Sequence, residues 1–273
     1  MIGKYIKSAR LTHFFRENFS TTPVTFKYFK NTRDPQSRFV VRQMLAEESE
    51  EVAQNIADVY LTRENVLRTL AIPRDQFVDY IKNDVKNATQ SNLAIVCRDE
   101  RTNKLAGSFY CQDMRLLADE RVLFTPEQND PKWQQFDDFY KACFLYLDTF
   151  AMPKGLNEII YCKRIAVDKE YSQLTVGNNM MFAARFLHPK ITTANKFLII
   201  ATHEYTYNFC KMNGFELVKK ISYKSFRDRN NRKIFENMQK LKGRSEADDY
   251  VYVMKREKSE KSIFQEIKAL KQS

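Results

Sequence analysis

The sequence predicts an α/β fold built on a mixed sheet, and three observations carry that expectation. In the second half of the chain, apolar runs of strand length alternate with helical stretches. Two strand-like runs, LAIVCRD and LAGSFYCQDM, are separated only by ERTNK, the pattern of a hairpin. No internal repeat and no Gly/Ser linker divides the 273 residues.

Folded structure is expected to begin near Ser37, where SRFVVRQML reads as a first strand with adjacent valines at its centre. EESEEVAQNIADVYL follows. Its acids cluster where the positive end of a helix favours them, and Ala46, Val52, Ala53, Ile56, Val59 and Tyr60 form an apolar stripe near the 3.6-residue period. A second helical stretch, 63–87, is interrupted by Pro73. The hairpin comes next, over 93–114. An insertion of roughly 40 residues, 115–155, carries a helical pattern in DDFYKACFLYLDTFAM after Pro131. EIIYCKRIAVD is then short and apolar enough for a central strand. A helix over 176–189, the strand FLIIAT, a short helix in EYTYNFCKMNG closed by Gly214, and the strands FELVKKISYKSF and DDYVYVMKRE complete the order. The expected organisation is a basic segment 1–36, a folded domain 37–256 containing the insertion, and a charged tail 257–273.

The net charge of +11 is concentrated at the two ends. Residues 1–42 hold nine Lys/Arg against two acids, and 255–273 hold six against three, which leaves the middle near neutral. A nucleic-acid reader carries its basic stripe on the folded domain, so that class is disfavoured. The five cysteines include no C-x-x-C pair and mostly sit in apolar runs, the pattern of reduced, buried thiols. Three histidines, widely spaced, spell out no zinc site. No apolar stretch reaches 18 residues, so no transmembrane helix is expected.

Residues 1–22 place Lys4, Lys7, Arg10 and Arg16 opposite Ile6, Ala9, Leu11, Phe14 and Phe15, with Glu17 the one acid. This basic amphipathic pattern is that of a mitochondrial presequence, and it predicts the matrix as the location; a basic surface arm is the alternative, with the cytoplasm as the location.

Chemistry is concentrated in 160–189. A strand ending at Val167 passes through a loop into a helix opening near Gly177. Free amides at such a helix start, with the helix dipole behind them, make a seat for a phosphate, and Thr175, Gly177 and Asn178 suit that position. A βα turn with one glycine occurs in many α/β proteins, and the segment is neither a P-loop nor G-x-G-x-x-G.

The segment resembles the coenzyme A signature of the GNAT superfamily of N-acetyltransferases, in which a strand ends in V-D or V-H and a Q/R-x-x-G-x-G/A loop opens the next helix. Here Ser172 stands at the Gln/Arg position, Thr175 at the first glycine and Gly177 at the second, so one of the three positions matches. Downstream, ATHEYTYNFCKMNGFELVKKISYKSF resembles the arylalkylamine N-acetyltransferase branch in Ala201–Thr202, Glu204–Tyr205–Thr206, the stretch from Lys211 to Phe215, and Tyr223. Upstream, DVYLTRENVLRTL resembles the branch's F-x-x-E-P-L helix break, with Glu64 at the acid and Asn65 where proline is usual, and Gly107 falls at a common glycine. The likeness covers about 37–255 and rests on the ordered set of motifs.

The resemblance implies a mostly antiparallel mixed sheet, splayed at its centre and flanked by helices. It implies acetyl-CoA as co-substrate and a small amine as acceptor, with direct transfer between them. Ser172, Gln173, Leu174, Thr175, Val176, Gly177 and Asn178 would form the pyrophosphate seat. The main chain of Ile165, Ala166 and Val167 would pair with the pantetheine arm and stabilise the developing oxyanion. Glu64 would be the base, directly or through water. Cys210 stands near where many of these enzymes carry a tyrosine that protonates the leaving thiolate, with Thr202 and Thr206 beside the same pocket. Plainer readings stand beside these roles: a surface glutamate in a helix turn, a packed thiol, and ordinary capping of a short helix. The alternative for the whole chain is a catalytically inactive structural subunit of a larger assembly, a mitochondrial one under the presequence reading, with protein partners meeting the insertion and the basic ends. Nucleic-acid binding through the ends is a third reading.

Overall fold

The computed structural model describes residues 24–31, 33–34, 36–115, 130–146, 158–172, 174–187, 194, 196–238 and 246–257. The presequence-like segment 1–22, Gln173, most of the insertion (116–129 and 147–157) and the tail from Lys258 lie outside the described residues.

One eight-stranded sheet organises the chain, in the order β1-β2-β3-β4-β5-β6-β8-β7. Its strands are β1 Thr25–Lys30, β2 Arg38–Gln43, β3 Ala94–Asp99, β4 Leu105–Asp113, β5 Ile159–Val167, β6 Lys196–Ala201, β7 Glu216–Ser222 and β8 Tyr250–Glu257. Every pairing is antiparallel except β5 with β6. The sheet therefore begins ahead of the expected start at Ser37. In the sequence the two lysines of TFKYFK blend into the basic N-terminal region, yet lysine on an outermost strand is how a sheet guards an exposed edge.

Helices α1 Ser49–Arg63, α2 Asn65–Leu70, α3 Arg74–Gln90 and α4 Pro131–Leu145 cover one face of the sheet, while α5 Val176–Leu187 and α6 Glu204–Met212 cover the other. The expected helix breaks fall where their residues require. Glu64 leaves helical geometry and caps α2, and Pro73 opens α3. Gly214 takes φ 78°, the left-handed turn that ends α6 and feeds β7. On the α1–α4 face, Trp133 of α4 packs against Phe77 and Tyr80 of α3, and Phe139 against Tyr223, Phe226 and Phe235. All five cysteines are free and buried. Among the described residues, no helix is long and apolar enough to cross a membrane, and no group of three or more His, Cys, Asp or Glu could hold a metal ion.

Two features of β5 create the central opening. It pairs with β6 only at Ile159, Ile160 and Tyr161, after which the two parallel strands part. It also carries a bulge: Tyr110 faces Arg164 and Cys111 faces Cys162, so Lys163 is the extra residue. The bulge resets the alternation. Ile159 and Tyr161 belong to the α1–α4 core and Ile160 and Cys162 to the other, yet beyond the bulge Ala166 returns to the α1–α4 side.

Candidate active site

Beyond Tyr161, β5 has β4 on one edge and the splay on the other. Ile165 N donates to the Tyr60 hydroxyl at 3.1 Å, and that hydroxyl donates to Ile165 O at 3.2 Å. Ile165 thus turns both main-chain groups away from β4 and into the splay. Alternation then assigns the same edge to Val167 and the β4 edge to Ala166. Asp168 confirms the phase, donating from its amide to Ala106 O of β4. Of these three residues, Ile165 and Val167 turn their main-chain groups toward the splay, those of Ile165 held by Tyr60, whereas Ala166 turns toward β4. Gly107 belongs to this geometry: a Cβ there would stand 2.7 Å from Ala166 O and 2.9 Å from Met180 Cε.

The loop after β5 is built by short-range hydrogen bonds. Asp168 caps a 3-10 turn at Lys169–Tyr171, accepting from Glu170 N, and the Ser172 hydroxyl closes onto Lys169 O. Arg33 reaches across to the carbonyls of Glu170 and Ser172. Leu174 is buried, and Thr175 sits at φ 61°. This is left-handed backbone at the position where the coenzyme A signature has its first glycine, and a β-branched residue is strained there. Asn179 compensates, bonding the Thr175 carbonyl and hydroxyl. The Asn179 N to Thr175 O bond, 3.0 Å, starts the α5 ladder, so the amides of Val176, Gly177 and Asn178 lie ahead of it. Thr175 and Asn178 are exposed and Gly177 is half-buried, which leaves this helix start open to solvent. Gly177 faces Phe209 and Val167, and Asn178 accepts from Asn213.

On the α1–α4 side of the splay lies a buried polar cluster. Glu64, 6% exposed, accepts from Leu67 N through Oε2 at 2.7 Å. Thr202 stands beside the carboxyl without closing a well-formed hydrogen bond to Oε1. Burial pushes the Glu64 carboxyl above the usual carboxylate range, partly offset by its hydrogen-bonding neighbours and by the charge of Arg164. The Thr202 carbonyl accepts from Tyr223 at 2.8 Å. Lys163 is held by Asp84 at 2.7 Å and Gln112 at 3.1 Å, and Tyr110 also donates to Asp84. Arg164 is 3% exposed, and its guanidinium carbon lies 5.2 Å from the Tyr60 ring centre and 5.7 Å from that of Tyr140. A surface cleft of about 240 Å³ has Tyr223, Phe235 and Met238 as its buried wall and shares no residue with the α5 start.

Thr202 therefore lies beside Glu64 on the α1–α4 side, apart from Cys210, with which the resemblance groups it. Capping of α6 falls instead to His203, which accepts from Tyr205 N, while Thr206 is half-buried within the helix. Cys210 is fully buried among apolar neighbours on the opposite face, and desolvation pushes its thiol up. Sequence reasoning missed Tyr60, Lys163 and Arg164. Tyr60 falls in the apolar stripe of α1, and its hydroxyl is the feature that sets it apart.

No protein-family model and no curated protein sequence matches the chain. Solved structures do. A putative arylalkylamine N-acetyltransferase 7 of the yellow fever mosquito aligns over 86% of this chain and 95% of its own, at 13% identity and a TM-score of 0.65. A Drosophila melanogaster polyamine N-acetyltransferase aligns over 81% and 100%, at 14% identity and 0.64. The C-terminal condensation domain of Ebony, solved with beta-alanyl-dopamine, aligns over 81% and 99%, at 16% identity and 0.63. The chain has the GNAT fold, the mostly antiparallel, centrally splayed sheet that its motifs imply. Within that fold it is similar to the arylalkylamine and polyamine N-acetyltransferases among its structural neighbours.

Proposed function

We propose that the chain is an acetyl-CoA-dependent N-acetyltransferase that acylates a small amine by direct transfer. One observation carries this reading. The main-chain edge of Ile165 and Val167 lies in the splay, between the solvent-open start of α5 on one face and the buried Glu64 carboxyl on the other. The amides of Val176, Gly177 and Asn178 suit a pyrophosphate, and the edge of β5 suits a pantetheine amide. Acetyl-CoA would bring the activated acyl group.

The amine must lose a proton to attack. Glu64 is the base of this proposal, because its raised affinity for a proton brings it nearer neutrality. The amine nitrogen bonds to the acetyl carbon, the carbon–sulfur bond breaks, and the amine proton passes to Glu64. Ile165 N–H would stabilise the oxyanion once the Tyr60 hydroxyl has moved aside. The same hydroxyl lies on that edge and would return a proton to the leaving thiolate, a role Cys210 is too buried to fill. The presequence-like pattern of residues 1–22 extends the proposal to the mitochondrial matrix, and import of a reporter carrying residues 1–36 tests it.

The deciding experiment is calorimetric titration with acetyl-CoA, followed by assay of coenzyme A release with a panel of amines. Micromolar binding with release that depends on the amine supports the proposal. Tyr60 lying on Ile165 favours the inactive structural subunit as second reading, and absence of acetyl-CoA binding would select it.

A further inference from the structure

We infer that the acceptor is an amine that also carries a carboxylate, an amino acid or a close analogue, held by the Arg164 guanidinium; this rests on the N-acetyltransferase reading above. Arg164 comes to the α1–α4 face because of the bulge at Lys163, which puts two adjacent cations on one side of the sheet. Their fates differ. Lys163 is neutralised by Asp84. Arg164 has no carboxylate within ion-pair distance among the described residues. Its Nη1 donates weakly to the Tyr140 hydroxyl at 3.4 Å and to Lys163 O at 3.3 Å, while Nε and Nη2 are buried with no partner.

Those two unpartnered atoms form one edge of the guanidinium fork, the edge that takes a carboxylate side-on through two parallel bonds. Elsewhere in this molecule the same edge does that work. Arg38 presents Nε and Nη2 to the two oxygens of Glu100, and Arg229 presents them to Asp138. A desolvated guanidinium with this edge unfilled is costly, and a ligand carboxylate would remove the cost. One unneutralised cation calls for one negative charge, which matches a carboxylate better than a phosphate dianion. Glu64 Oε1 is also buried without a hydrogen-bond partner, and the Glu64 carboxyl feels the charge of Arg164. Glu64 for the amine and Arg164 for the carboxylate together complement an amino acid.

The test uses the full chain and matched pairs, each an amino acid and its decarboxylated amine: tyrosine with tyramine, phenylalanine with 2-phenylethylamine, and β-alanine with ethylamine. Calorimetry measures binding of each, and release of coenzyme A from acetyl-CoA gives kcat/KM. The carboxylate-bearing member is expected to bind and react better by roughly tenfold or more, the scale of a charge-assisted bidentate pair. In Arg164→Gln the ratio of kcat/KM between pair members should fall by roughly tenfold or more, and Arg164→Lys should restore part of it. Should the variants not fold, the preference of the unsubstituted chain decides alone. Equal treatment of pair members, or preference for the decarboxylated amines, overturns the inference and leaves the transferase reading standing. Binding of amino acids without coenzyme A release supports Arg164 as the carboxylate site and sinks the transferase reading. Failure of every carboxylate-bearing amine to bind overturns the inference.

Discussion

The Tyr60 hydroxyl both accepts from Ile165 N and donates to Ile165 O, at 3.1 and 3.2 Å, so one side chain of α1 occupies the only main-chain groups of Ile165 that face the splay. A strand edge that must pair with an incoming amide is thereby kept satisfied until that amide arrives.

Tyr60→Phe should expose the conflict. With the hydroxyl gone, Ile165 loses two hydrogen bonds, and the free protein should lose about 1–2 kcal/mol of stability by urea denaturation. Acetyl-CoA, no longer competing with Tyr60, should bind about three- to tenfold more tightly by calorimetry. If the phenol also returns the proton to the thiolate, kcat should fall by roughly a hundredfold. Weaker coenzyme binding in this variant would show that the hydroxyl aids the ligand.

Glu64 yields a pH prediction with a definite sign. An unfolded glutamate ionises near its ordinary value, about 4.3, whereas the folded chain holds this proton to higher pH. The folded state therefore binds more protons in between. Glu64's contribution to stability is full below the ordinary value and is lost as pH rises through the raised one. In Glu64→Gln that loss is absent, so melting curves from pH 4 to 8 should show the variant gaining on the unsubstituted protein as pH rises. Amine-dependent turnover in the same variant should drop by about two orders of magnitude or more, with coenzyme binding retained.

Thr175→Gly should relax the loop. The left-handed φ of 61° costs a β-branched residue about 1–2 kcal/mol, against about 0.5–1 kcal/mol for the added freedom of glycine in the unfolded chain. The Asn179 contact to the threonine hydroxyl is also lost. Denaturation should show a stability equal to or up to about 1 kcal/mol above that of the unsubstituted protein. A loss of more than 1 kcal/mol would mean that the hydroxyl holds the loop.

Gly107→Ala should act in the opposite direction. The new methyl would stand 2.7 Å from the main-chain oxygen of Ala166, which can move only if β5 moves. A destabilisation of about 2 kcal/mol or more is expected, together with weaker acetyl-CoA binding, because the displaced strand carries Ile165 and Val167. A fully stable variant would argue against the tight approach of β4 and β5.

Much of the element order was legible because local physics enforces it. Pro73 cannot continue a helix, Gly214 takes the left-handed turn after α6, and ERTNK between two apolar runs leaves little but a hairpin. Glu64 could be singled out through the resemblance of DVYLTRENVLRTL to the F-x-x-E-P-L helix break, and in the structure it caps α2. β1 was not legible: on an edge strand, with half its residues exposed, neither alternation nor composition stands out.

From its residues alone, the chain declared a strand passing through a loop into a helix near Gly177, and by resemblance an acid at position 64 where a helix breaks. The turn into the helix and the helix break follow from interactions a few residues long. Only the tertiary structure decided that Lys163 and Arg164 share a face, that Asp84 neutralises the first, and that the second is buried with its fork open. A single extra residue in β5 reverses the alternation on which any reading of a strand depends. That slip is settled by register against β4 and by packing against a helix nearly eighty residues earlier in the chain.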